Sequence, residues 1–169
     1  MIQFNESKML FHLQGPTYSY LLGVKDGVLL QFYWGSRLPN DEVEGLIRLR
    51  GEAASFDSAH SRLPVVIPTQ EKGYFGQRAI SVRNPEGDDV LSLRYQGYRI
   101  LPGKKALCGL PASYVEDESE ADTLEIDLKD ALTGVAVTLS FTVFKAYDVL
   151  ARSMVVKNEG DKPFELNDV

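Results

Sequence analysis

Short segments in which apolar and polar residues alternate recur along the chain, and turn-forming residues separate them. Two clear examples are TLEIDL at residues 123–128 and VAVTLSFTVF at residues 135–144. In the first segment Leu124, Ile126 and Leu128 fall on one face. Successive side chains of a strand point to opposite faces, so the pattern predicts strands with one face in a core. The other face is expected to meet solvent or a second sheet.

The connections between these segments carry turn chemistry. Residues 17–24 and 28–34 are rich in aromatic and aliphatic residues, and Asp26-Gly27 between them is a strong hairpin signal. Further strands are predicted at residues 9–13, 78–84, 90–101, 148–158 and 164–169. Because no long amphipathic helix separates the strands, the sequence predicts an all-β fold, a large antiparallel β-sandwich.

One short helix is predicted within a long loop. The segment NDEVEGLIRLR, residues 40–50, offers Asn40 as an N-cap, acids in the first turn and two arginines near its carboxyl end. It lies in an insertion of residues 35–77 between the first strands and the later ones. Insertions between strands are often functional, although an ordinary surface excursion is at least as common.

The charge balance limits the kinds of partner. The chain has 24 acidic and 18 basic residues, a net charge of −6. Its scattered basic residues form no stripe that could neutralise phosphates, so neither a nucleic acid nor a membrane is expected as a partner. The start, MIQFNESKML, lacks the features of a signal peptide, and no apolar run reaches the length of a membrane span. A cytoplasmic location is therefore expected.

The chain has one cysteine, Cys108, which cannot form an internal disulfide. A nucleophilic cysteine would need a histidine base, and the two histidines, His12 and His60, lie in no known cysteine motif. We therefore expect Cys108 to be a small, half-buried core thiol.

An acidic run precedes the predicted strand at residues 123–128. Its five carboxylates occupy seven positions: Glu116, Asp117, Glu118, Glu120 and Asp122. Glycoside cleavage needs two carboxyl groups about 5 Å apart, or somewhat farther, held rigidly and with one pKa raised by burial. A flexible acidic run meets neither condition and lacks the ligand spacing of a calcium loop. We expect a solvated approach to the strand, with no metal site and no cofactor.

Aromatic residues are frequent in the predicted strands and loops. Tyrosine and tryptophan rings can stack on sugar rings, although most aromatic residues of a sandwich serve packing. Trp34, followed by Gly35 at a strand end, is the best single candidate for such a contact.

Three segments occur in a specific order: YWG at residues 33–35, GLPASYVEDESEADTLEI at 109–126 and YDVLARS at 147–153. With them the chain resembles, over nearly all its length, the amino-terminal domain of family 36 glycoside hydrolases, the bacterial α-galactosidases. The resemblance implies that residues 1–169 form the N-terminal β-sandwich (supersandwich) of a larger hydrolase. The two catalytic aspartates would lie on a downstream (β/α)₈ barrel, which alone needs about 250 residues. Catalytic residues are therefore expected in none of the 169 positions.

The resemblance also implies a role in assembly. In related enzymes the sandwich helps to build a tetramer, and its loop after YWG reaches toward the sugar pocket of a neighbouring subunit. The residues that could contact a galactoside here are Trp34, Arg48, Arg50, Asp57, His60, Arg62 and Arg78. For each polar residue of this set, the simpler interpretation is a charged side chain on the protein surface with no role in sugar binding. The family's usual GDFR-like stretch reads GYFGQRA at residues 73–79, so the role of Arg78 and the substrate preference stay open.

The resemblance therefore implies that this chain is a non-catalytic domain that supports a cytoplasmic, homo-tetrameric α-galactosidase. That enzyme is expected to act on oligosaccharides such as melibiose or raffinose. One alternative is a stand-alone carbohydrate-binding or assembly module, and another is the same architecture with α-N-acetylgalactosaminidase specificity. The chain enters a predicted strand, FELNDV, where it stops, and we expect this to be a boundary within a longer protein. A gene product of about 700 residues would favour the hydrolase, whereas one that ends near Val169 would favour the stand-alone module.

Overall fold

The computed structural model describes residues 1–43, 64–71, 76–109 and 111–169. Within these ranges the secondary structure is almost entirely β, which confirms the predicted fold class. The strands of the first half are β1 (Ile2–Asn5), β2 (Leu10–Gln14), β3 (Tyr18–Lys25), β4 (Val28–Ser36) and β5 (Ser81–Arg83). Those of the second half are β6 (Arg94–Pro102), β7 (Ala121–Lys129), β8 (Val135–Phe144), β9 (Leu150–Asn158) and β10 (Glu165–Asp168). A 3₁₀ turn, Glu118–Glu120, precedes β7.

Two four-stranded antiparallel sheets form the body of the protein. The first has the order β1-β2-β3-β4 and the second the order β6-β7-β8-β9. A two-stranded antiparallel sheet joins β5 to β10. Neighbouring strands of each larger sheet follow one another in sequence, as in a meander, so short turns suffice for most connections.

The predicted hairpin between β3 and β4 is confirmed. Lys25 pairs with Val28, which leaves Asp26 and Gly27 as a two-residue turn. Both residues have positive φ, 51° and 75°. That conformation matches the twist of the flanking strands and favours an Asp-Gly sequence.

The hydrophobic core lies between the two larger sheets. The alternating residues of β7 and β8 supply one layer, as the sequence pattern predicted: Leu124, Ile126, Leu128, Val135, Val137, Leu139, Phe141 and Val143 are all buried. The facing layer comes mainly from Phe11, Leu13, Tyr20, Leu22 and Leu29. Aromatic contacts join the layers, with the rings of Phe11 and Tyr98 5.1 Å apart and those of Tyr20 and Phe141 6.0 Å apart.

Some boundaries differ from the prediction. β1 was not predicted, because an alternation of only four residues, Ile2–Asn5, is a weak strand signal. In the structure these residues are not fully buried. Residues 90–93 were predicted as strand, yet β6 begins at Arg94. Leu91 and Leu93 are nevertheless buried in the core, so their apolar character reflects packing and not strand pairing.

The short helix predicted at residues 40–50 lies mostly outside the described residues. Of its start, the Asn40 side chain accepts a hydrogen bond from the backbone N–H of Glu42 at 3.2 Å. The helix itself stays a prediction. None of the residues that the structure describes forms a helix with the length and apolar character of a membrane span.

The expectation for Cys108 was wrong. Its side chain is exposed and is not part of the core. It lies in the Pro/Gly-rich connection between β6 and β7, where the chain leaves the sheet and runs over the surface.

Candidate functional site

Trp34, near the end of β4, presents a half-open aromatic surface. Its side chain is 53% exposed. The covered part packs on two tyrosines of β3, with ring centroids 5.1 Å from Tyr18 and 5.2 Å from Tyr20. Tyr20 lies directly opposite Trp34 in the β3–β4 ladder. The indole is therefore held by cross-strand packing and keeps one side available to a ligand.

The tyrosines beneath Trp34 are themselves fixed to the second sheet. The Tyr18 hydroxyl donates a hydrogen bond to the Val149 carbonyl at 3.0 Å. The backbone N–H and hydroxyl of Thr17 donate to the two carboxylate oxygens of Asp148, each at 2.8 Å. Burial, with the nearby Asp148 carboxylate, raises the pKa of Tyr18 to about 12, which keeps its hydroxyl a donor. Both sheets thus position the surface around Trp34.

Arg78, the other candidate that the structure describes, has a defined partner. Its Nη1 donates to Oδ2 of Asp89 at 2.5 Å, in a half-exposed ion pair. Asp89 thus supplies an acid for Arg78 although the GYFGQRA stretch lacks the family's usual one. Among the described residues, the contacts of Arg78 and of Trp34 involve different partners, and none of these contacts joins the two candidates.

The remaining predicted contact residues fall outside the described part of the chain. They are Arg48, Arg50, Asp57, His60 and Arg62, all within residues 44–63. Their assignment stays a prediction.

The acidic run before β7 is a surface feature, as expected. Glu116, Asp117, Glu118 and Glu120 are all exposed. The Asp117 side chain caps the 3₁₀ turn by accepting the Ser119 N–H at 2.8 Å. The Ser119 hydroxyl and, to a smaller extent, this N–H lower the pKa of the Asp117 carboxyl group. Asp122 is half-buried, and its carboxylate lies 3.0 Å from the ammonium of Lys145. These contacts are structural ones, suited to fixing the start of a strand.

A polar cluster on the outer face of the second sheet was missed from the sequence. Arg99 donates to the carboxylates of both Glu125 and Asp127, at 2.5 Å in each case. Thr138 donates to the same Asp127 carboxylate at 2.7 Å. Burial alone would raise the pKa of Asp127, but the hydrogen bonds from Arg99 and Thr138 outweigh it and hold that pKa below its usual range. Prediction of this cluster requires the register of the strands, which sequence alone does not give.

Among the residues that the structure describes, no group of three or more histidine, cysteine, aspartate or glutamate side chains is placed to hold a metal ion. Five carboxyl groups have a pKa that is shifted downward: Asp41, Glu86, Asp88, Asp117 and Asp127. A general acid at neutral pH needs the opposite shift.

Residues 27–169 match the family described as the glycosyl hydrolase family 36 N-terminal domain. The chain is 37% identical to Alpha-galactosidase 1 of Pediococcus pentosaceus over 180 residues, covering 100% of the chain and 24% of that relative. It is 32% identical to Alpha-galactosidase AgaA of Geobacillus stearothermophilus, with 98% and 24% of the two chains covered. It therefore spans about a quarter of the length of these curated relatives.

Solved structures agree in fold. The crystal structure of the family 36 α-galactosidase AgaB from Geobacillus stearothermophilus matches with a TM-score of 0.89 and 32% identity, covering 99% of this chain and 24% of AgaB. A raffinose complex of an AgaA variant from the same organism matches with a TM-score of 0.85 and 33% identity, covering 94% of this chain and 23% of AgaA. The match along residues 27–169, the shared fold and these identities show that the chain belongs to the glycosyl hydrolase family 36 N-terminal domain family.

Proposed function

We propose that this chain is the non-catalytic N-terminal β-sandwich of an α-galactosidase that hydrolyses terminal α-linked galactosides of the melibiose and raffinose type. One observation carries the proposal: 99% of the chain superimposes on AgaB, yet it accounts for only 24% of that α-galactosidase. The same ratio supports the proposal that residues 1–169 are one domain of a larger hydrolase.

The carboxylates of the described residues support a non-catalytic role. Retaining glycosidases place two carboxyl groups about 5 Å apart, one as nucleophile and one as a general acid of raised pKa. Two carboxylates of the described residues, those of Glu125 and Asp127, share one partner, since Arg99 binds both. Against the effect of burial, the hydrogen bonds from Arg99 and Thr138 lower the pKa of Asp127, which opposes its protonation. We therefore place the nucleophile and the acid/base outside this chain, on a (β/α)₈ barrel.

The sandwich would contribute to the enzyme through its surface. Trp34 offers a supported indole face, and such faces stack on the apolar side of a sugar ring. We propose that Trp34, with polar residues of the following loop, contacts the galactoside or its leaving group at a neighbouring subunit's pocket. The proposal includes the homo-tetramer that the family resemblance implies and the cytoplasmic location expected from the sequence.

Expression of the full-length gene product beside the isolated chain tests the proposal. The full-length product is expected to hydrolyse an aryl α-galactoside, melibiose and raffinose, whereas the 169-residue chain is expected to show no turnover. Turnover by the isolated chain would contradict the non-catalytic role. Preference of the full-length product for an aryl α-N-acetylgalactosaminide would replace the proposed substrate, and analytical ultracentrifugation of that product checks the tetramer.

A further inference from the structure

Two segments that the sequence singled out, GLPASYVEDESEADTLEI and YDVLARS, meet around a cleft. This tyrosine cleft has a volume of about 380 Å³. Its walls are Tyr114 with its neighbours on one side and Tyr147 with Val149 on the other, and Phe144 also lines it. Ligand pockets commonly measure about 300–1,000 Å³, so the cleft is large enough to hold a small molecule.

The two walls are fixed to each other by the backbone. Lys145, which precedes Tyr147, donates its N–H to the Glu120 carbonyl at 2.9 Å. The Phe144 N–H donates to the Val149 carbonyl at 3.3 Å and closes the connection that carries Tyr147. The Tyr18 hydroxyl binds that same Val149 carbonyl. The position of one wall is therefore set by β3 and of the other by the start of β7, which pre-organises the cleft.

The lining of the tyrosine cleft has the chemistry that recognises neutral sugars. Tyr114 and Tyr147 are 76% and 67% exposed, an unusual state for large aromatic side chains. Their rings offer apolar faces to the C–H side of a pyranose. The carboxylates of Glu116 and Glu120 and the hydroxyl of Ser113 provide acceptors for sugar hydroxyl groups.

Charged ligands fit this lining less well. Among the described residues that line the cleft there is no lysine or arginine, so these residues offer a phosphate or another anion no counter-charge. A cation would meet carboxylates that are exposed to water, where an ion pair adds little affinity. One Glu120 oxygen already accepts the Glu116 N–H at 3.1 Å. The stacking surface is thus the larger source of affinity, and it favours an uncharged ring.

We propose that the tyrosine cleft is a saccharide-binding site that takes a neutral oligosaccharide ending in galactose. The choice of sugar, but not the existence of the site, rests on the proposed function. The Tyr18 ring contacts Trp34 and its hydroxyl binds the cleft wall, so the cleft and the exposed indole lie along the same edge of the sandwich. An oligosaccharide held between Tyr114 and Tyr147 would be kept close to the surface that Trp34 presents.

Titration of the ¹⁵N- and 3-fluorotyrosine-labelled chain with melibiose tests this inference by NMR. A dispersed amide spectrum first establishes that the chain and each variant are folded. Saturable shifts are expected at Tyr114 and Tyr147, with a dissociation constant on the order of 1 mM. Tyr147→Ala is expected to weaken binding about 3- to 10-fold, whereas Tyr147→Phe keeps the ring and most of the affinity.

Several results would overturn the inference. Absence of saturable shifts at both tyrosines, or equal binding by Tyr147→Ala and the parent chain, would do so. Stronger shifts from lysine amide than from melibiose would assign the cleft to cations instead. Because Trp34 is the single tryptophan, its indole signal reports separately on the contact in the proposed function. If the full-length product hydrolyses α-galactosides but the two tyrosines show no saturable shifts, only the saccharide site in the tyrosine cleft is rejected. If the cleft binds melibiose but the full-length product shows no hydrolysis, only the proposed enzymatic function is rejected.

Discussion

Arg99 on β6 lies directly opposite Glu125 on β7, and its Nε donates a hydrogen bond to the Glu125 carboxylate at 2.5 Å. Glu125 is only 7% exposed, although the sequence pattern placed it on the face away from the core. The nearby Lys105 Nζ lies 3.5 Å from the other carboxylate oxygen but is itself mostly exposed. The charge of this buried acid is therefore balanced chiefly by Arg99.

Arg99→Met is expected to lower the free energy of unfolding by about 2 kcal/mol, because it leaves a buried carboxylate with one weakly held cation. Urea denaturation followed by circular dichroism measures the change. Lys129→Met is the matched control. It breaks an ion pair with Glu159 whose partners are both well exposed, and such pairs contribute less than about 1 kcal/mol. Equal losses in the two variants would show that Glu125 does not depend on Arg99.

The lowered pKa of Asp127 predicts a dependence of stability on pH. A group whose pKa is lower in the folded state stabilises the fold above its unfolded value, near 3.8 for Asp127. That contribution is lost as the pH falls through the lower folded value. Asp127→Asn should therefore cost stability at pH 6 and progressively less below pH 4. Denaturation of both proteins across this range measures the difference, and a constant difference would contradict the assignment.

Most of the fold was predictable because it depends on local signals. Asp26-Gly27 specifies a two-residue turn, and the alternation in residues 135–144 coincides with β8 at both ends. β1 was missed because its stability comes from pairing with β2, as in the contact of Ile2 with Leu13, and not from its own four residues. Periodicity reports which residues face a core but not which neighbours complete a sheet.

The candidate sites were less predictable, because they depend on distant contacts. Trp34 could be nominated from its residue type and strand-end position. Its support, however, includes bonds between Thr17 and Asp148, which lie 131 positions apart. The tyrosine cleft likewise arises where residues near Tyr114 meet those near Tyr147. Sequence spacing contains no information on such encounters unless the register of both sheets is known.

Replacement of Trp34 tests its contact with substrate. In the full-length product, Trp34→Ala is expected to raise KM for melibiose about 3- to 10-fold with little change in kcat, since stacking outside the reacting bond stabilises substrate and transition state alike. Trp34→Phe should recover part of the loss because it keeps an aromatic ring. Leu132→Ala, at a side chain that is 93% exposed, is the control. An unchanged KM in Trp34→Ala would remove Trp34 from the proposed site.

Gly134 and Gly87 separate the cost of backbone strain from the cost of a steric clash. Both have positive φ, 75° and 92°, so alanine at either position incurs strain of about 1–2 kcal/mol. A Cβ at Gly87 would meet nothing within 4 Å, whereas one at Gly134 would lie 2.4 Å from the Gly160 Cα. Because the obstacle at Gly134 is backbone, the turn between β7 and β8 must shift to accept a side chain. Gly134→Ala should therefore lower the free energy of unfolding by more than Gly87→Ala, as measured by urea denaturation. Equal losses would show that the β7–β8 turn and the turn at Gly160 do not pack closely.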